Sequence, residues 1–103
     1  MRRAKIYNFG LEAGELIELK MNTEYNFFYS DNYDGEPVSL TMPKSQKEFY
    51  FDSFPAFFEG LLPEGVMLET LLRTAKIDSN DLFSQLVYVG EDLVGSVTVK
   101  EIK

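Results

Sequence analysis

Along the first half of the chain, apolar and polar side chains alternate with the two-residue period of strands. Ala4, Ile6 and Asn8 alternate with Lys5, Tyr7 and Phe9; Gly10 to Gly14 supplies a turn, and Leu16-Ile17-Glu18-Leu19-Lys20-Met21 runs back. This pattern predicts an opening hairpin. After Asn22-Thr23 the run Tyr25-Asn26-Phe27-Phe28-Tyr29 is aromatic and β-prone, and the turn dipeptide Asp34-Gly35 leads into Val38-Ser39-Leu40-Thr41-Met42. A second antiparallel pair is expected there. Pro43 ends that run because it has no N–H to donate, and a polar stretch from Lys44 to Glu48 crosses to a short aromatic segment, Phe49-Tyr50-Phe51.

The second half changes period. Ser53 is placed to cap a helix, Pro55 is tolerated in a first turn, and Phe54, Phe57, Phe58, Leu61 and Leu62 recur at spacings of three and four. Pro63 and Gly65 interrupt this helix with a rigid corner. Val66, Met67, Leu68, Leu71, Leu72 and Ala75 then continue a helical stripe that ends at Arg73 and Lys76, cations suited to a helix C-terminus. The period places Leu68, Leu71 and Leu72 in the core and leaves Val66 undecided between core and surface. Asp78 and Asp81 suit the start of a third helix with Leu82, Phe83, Leu86 and Val87 on its apolar face, and Gly90 is a natural stop. Leu93, Gly95, Val97 and Val99 alternate with Val94, Ser96, Thr98 and Lys100 as a closing strand. The succession predicts an α+β fold: a mainly antiparallel, twisted sheet of about five to six strands with three short helices packed on one side. One domain over residues 1–103 is expected, with no internal repeat or linker.

Composition narrows the chemistry. At 103 residues with 45% hydrophobic content, the chain is long enough to hold a core without metal or disulfide staples. Cysteine and histidine are both absent. That removes thiol and imidazole ligands, disulfides, cysteine nucleophiles and histidine acid–base catalysis together. The net charge of −7, with basic residues scattered, disfavours direct contact with nucleic acid or an anionic membrane. Arg2, Arg3 and Lys5 are followed by alternation instead of an apolar run, so no signal peptide is read and a cytoplasmic protein is expected. No stretch approaches the ~18 consecutive apolar residues of a membrane span.

Candidate sites are sparse. Asn32, Asp34 and Gly35 match the third, fifth and sixth positions of a calcium loop, but Ser30 and Thr41 stand where its first and twelfth ligands are required, so a solvated loop is expected. Gly10, Gly14, Gly90 and Gly95 lack the spacing of a phosphate loop and are assigned to turns. Lys44-Ser45 is an adjacent pair in a polar loop, with no desolvation to activate the lysine. No catalytic residue, metal site or cofactor is expected. Phe27-Phe28-Tyr29 and Phe49-Tyr50-Phe51 place aromatics on both faces of their strands, which leaves one face to the helices and the other open to the protein itself or a partner.

Four segments together carry a resemblance: Phe28-Tyr29 with Tyr33; Pro37-Val38-Ser39-Leu40-Thr41-Met42-Pro43; Phe57-Phe58-Glu59-Gly60-Leu61-Leu62-Pro63-Glu64-Gly65; and Gly90-Glu91-Asp92-Leu93-Val94-Gly95-Ser96-Val97. Over nearly the whole chain the sequence resembles the N-terminal subdomain of HipA-type serine/threonine kinase toxins. The kinase core is missing from it, since no Asp-Phe-Gly occurs and no His-x-Asp loop can form without histidine. A free-standing copy of this subdomain is similar to the HipS-like components of three-part HipBST systems. The resemblance implies a non-catalytic antitoxin that binds and inhibits a HipT-like kinase, while a HipB-like protein handles DNA. It also implies a partner-binding corner at Leu62, Pro63, Glu64, Gly65, Val66 and Met67, flanked by Glu69. The chain has no tryptophan, so the apolar tip of that corner falls to Val66 and Met67. Two other roles fit the same resemblance: a structural complement that positions the kinase without inhibiting it, and the toxic component itself.

Overall fold

The computed structural model describes residues 1–93 and 95–103. Strands β1 (Arg2–Asn8), β2 (Leu11–Lys20), β3 (Glu24–Tyr29) and β4 (Glu48–Phe51) are followed by helices α1 (Ala56–Glu59), α2 (Gly65–Ala75) and α3 (Leu82–Val89), and by β5 (Val97–Ile102). The five strands form one antiparallel sheet in the order β4-β3-β2-β1-β5. The α+β class and the strand-then-helix order are those the pattern predicts.

Register explains why the alternation was informative. One row across the sheet joins Ala4, Leu16, Phe27 and Phe49, and a second joins Val99, Ile6, Gly14 and Tyr29. These rows point to the same face, and their large side chains meet Phe58, Phe83 and Leu86 of the helices in one buried cluster. The opposite face carries Tyr7, Ile17 and Phe28, each half-buried, and the exposed Tyr50. No helix covers them among the described residues, so the aromatics do divide between two faces.

The expected strand Val38–Met42 does not form. Residues 30–47 make an irregular excursion with a single bridge between Ser39 and Met42, and β3 pairs instead with β4 through Phe27 and Phe49. Two prolines bracket the short apolar run, and side chains from the sheet satisfy its backbone. The Tyr29 hydroxyl accepts from the Val38 N–H and donates to the Met42 carbonyl, while Asn8 Nδ2 donates to the Glu36 carbonyl at 3.1 Å. Val38 and Met42 are thereby buried, and Leu40 stands 99% exposed at the turn.

Three smaller expectations also change. Ser53 does not cap α1, which is a single turn started at Pro55 with no side-chain cap. The closing strand starts only at Val97, because Gly95 has φ +105°; Val94 lies outside the described residues. Gly14 and Gly90 are required by close approach, not by turns: a Cβ would stand 2.0 Å from the Phe28 carbonyl oxygen at the first and 2.1 Å from that of Val99 at the second.

Candidate functional site

The corner between α1 and α2 is built by a short chain of local causes. Glu59 and Gly60 close the turn of α1 on the carbonyls of Pro55 and Ala56, and Leu61 and Leu62 add tighter bonds to Phe58 and Glu59. Pro63 then has no N–H to extend the ladder. Glu64 is extended (φ −127°, ψ 164°) and Gly65 opens α2 with φ +60°, a conformation costly for any residue with a Cβ. The reversal turns the first residues of α2 outward.

The six residues singled out by sequence do not share one environment. Leu62 is buried and Pro63 half-buried, so they anchor the corner. Glu64, Gly65, Val66 and Met67 are exposed, Val66 at 76% and Met67 at 73%. Val66 is therefore a surface residue, and together with Met67 it forms an apolar tip that the protein does not cover. Thr70 fastens the turn beneath it by donating to the Val66 carbonyl at 2.9 Å. Glu64 and Glu69 are exposed beside the tip, and no cation pairs with either among the described residues. Of the predicted stripe on α2, Leu71 alone is fully withdrawn from solvent; Leu68 and Leu72 are half-buried.

Behind the tip, a groove of about 590 Å³ lies between α2 and α3. Leu61, Leu62, Met67 and Leu71 form one wall; Tyr88 and Leu93 form the other. Tyr88, 57% exposed, was not singled out by sequence, because it lies off the apolar stripe Leu82, Phe83, Leu86 and Val87 and reads as a solvated residue. An aromatic at such a position on a short helix was the available signal.

The wall formed by α3 is held by charge. Asp81 caps α3 by accepting from the Ser84 N–H at 3.1 Å, and Arg2 on β1 reaches across to it, donating from Nη2 to Asp81 Oδ1 at 2.9 Å. The same guanidinium donates from Nε to Glu18 at 2.7 Å and lies over the Phe83 ring. Tyr25 completes the group by donating to Glu18 at 2.7 Å. Burial raises the Asp81 carboxyl, but hydrogen bonds from Arg2 and Ser84 outweigh it and hold the group below the usual carboxylate range. Burial, with the bond to Glu18, pushes Tyr25 up to about 12. Arg2 thus acts as a structural clamp.

No helix of the described residues is long and apolar enough to cross a membrane. The family description "HipA N-terminal domain" matches residues 4–100. An uncharacterized protein of Haemophilus influenzae is 32% identical over 103 residues, covering 100% of this chain and 95% of that protein. The solved structure of the N-terminal domain of HipA toxin superposes with a TM-score of 0.77 at 28% identity, covering 100% of this chain and 94% of the other. With the family match over residues 4–100 and the similar solved domain in agreement, the chain belongs to the HipA N-terminal domain family.

Proposed function

We propose that residues 1–103 act as a HipA N-terminal subdomain that neutralises a companion HipT-like serine/threonine kinase in the cytoplasm, as the antitoxin of a three-part system. It does so by binding, without a catalytic centre of its own. The observation that carries this reading is the uncovered apolar tip, Val66 and Met67, presented by the Leu61-Leu62-Pro63-Glu64-Gly65 corner, one of the segments that carry the resemblance. Leu62 and Pro63 anchor the corner, Gly65 turns it outward, and Glu64 supplies a carboxylate suited to the basic phosphate-binding region of a kinase. Insertion of this tip at the nucleotide cleft would block the closure that phosphoryl transfer needs. A HipB-like DNA-binding protein joins through the kinase, since a net charge of −7 gives this chain little affinity for phosphates.

The test is phosphorylation by the companion kinase, alone and with excess of this protein, beside gel filtration of the mixture. Co-elution with lost activity, restored by Val66→Asp, is the expected result. Co-elution with unchanged activity would make the protein a structural complement, and separate elution would end the proposal.

A further inference from the structure

The groove between α2 and α3 has a chemistry that the tip alone does not use. Its apolar lining comes from Leu61, Leu62 and the partly used stripe of α2 on one side and from Tyr88, Val89 and Leu93 on the other, around a volume of about 590 Å³. Met67 belongs to both tip and groove, whereas Val66 does not line the groove. The two features are therefore separable by mutation.

Charge selects the occupant. Residues 48–99, which contain every helix, carry nine carboxylates against Arg73 and Lys76. The rest of the chain holds eight of each sign, so the whole net charge of −7 resides in the half that builds the groove. No Lys or Arg occurs between Lys47 and Arg73 or between Lys76 and Lys100. The groove runs along α2 as far as Thr74, but neither Arg73 nor Lys76 lines it, while Asp92 does. A second copy of this chain would bring the same negative field against itself, and like-charge juxtaposition opposes that. The complementary occupant has an apolar row to fill the walls and cations to meet the rim.

We infer that this groove receives an amphipathic helix of the partner protein, its apolar side between Met67, Leu71, Tyr88 and Leu93 and its Lys or Arg residues toward Asp92 and the neighbouring carboxylates. The helix-in-groove mode suits an apolar groove lined along one helix, and the flexible Met67 in its lining adapts to different side chains. The proposed function enters only in naming the kinase as the protein that carries the helix. Docking here would act as a second contact beside the tip and hold the tip at the cleft.

Two arms test it. In the first, binding of the companion kinase is measured for the unaltered protein, Tyr88→Ser and Val66→Asp, each checked for unchanged thermal unfolding. Tyr88→Ser is expected to weaken binding about tenfold or more, with a loss additional to that of Val66→Asp in the double variant. In the second, a synthetic leucine–lysine amphipathic peptide is titrated against the labelled protein while backbone amide shifts are followed. Shifts confined to α2, α3 and the Asp92 loop, lost in Tyr88→Ser and Met67→Ser and absent with a leucine–glutamate peptide, are expected. Equal kinase affinity for Tyr88→Ser would overturn the groove as a docking site while leaving the antitoxin reading standing. Failure of the unaltered protein to bind the kinase would overturn the antitoxin reading, and the peptide arm then decides the groove alone. Absent or scattered shifts in that arm, or shifts unaffected by both substitutions, would overturn it.

Discussion

Helix α3 and helix α2 sit side by side in one layer, yet they are held by different means. Helix α3 buries Phe83, Gln85 and Leu86, is capped by Asp81 and is clamped to β1 and β2 through Arg2 and Glu18. At its other end the Gly90 carbonyl accepts from the Val99 N–H at 2.9 Å, which ties it to β5. Helix α2 buries only Leu71, has no side-chain cap and starts from a glycine. Both are amphipathic, but α3 uses its apolar face for the protein's own core and α2 leaves much of its face free. The contrast shows where stability ends and available surface begins: a short helix fixed at both ends supports a neighbour whose apolar side chains remain uncommitted.

Substitutions can sharpen or break that contrast. The largest loss is expected for Arg2→Ala, which leaves the Glu18 and Asp81 carboxylates without a cation and should lower stability by about 2–3 kcal/mol, read by urea unfolding. Next is Gly90→Ala. Its new methyl group would press on the backbone of Val99, so α3 and β5 must separate, at about 2 kcal/mol in the same assay. A smaller effect is expected for Asp81→Asn, at about 1 kcal/mol near neutral pH, because the cap survives and the charge does not. Its signature is in acid. The Asp81 pKa is lowered on folding, so the stability it supplies is present above the unfolded value of about 3.9 and is lost as pH falls through the lower folded value. The stability–pH slope of the unaltered protein should therefore be the steeper across that window. The smallest effect belongs to the corner: Val66→Ser and Met67→Ser should each change unfolding by less than about 0.5 kcal/mol while weakening kinase binding. A loss of several kcal/mol there would show that Val66 and Met67 contribute to the core after all.

Particular elements show how far the sequence could be read. The strands β1, β3 and β4 were legible because every second residue enters a single core, so burial and period coincide. Asp81 was legible because capping is local. The segment Val38–Met42 was not, since alternation reports that side chains are partly buried but not whether a ladder or a tyrosine hydroxyl satisfies the backbone. Two segments competed for the open edge of β3. The one beginning at Glu48 took it, with Phe49 opposite Phe27 and no proline at either end, whereas Pro37 and Pro43 bracket Val38–Met42.

The corner divides along the same line. Composition alone excludes histidine and cysteine chemistry, and Pro63 with Gly65 dictates a break between two helices, because both effects belong to single residues or their neighbours. Whether Val66 points inward, whether α2 closes on α3, and whether Arg2 reaches Asp81, 79 positions along the chain, depend on where the sheet places elements distant in sequence. Only the tertiary structure decides those, since periodicity defines a helix face and the surrounding fold determines what meets it.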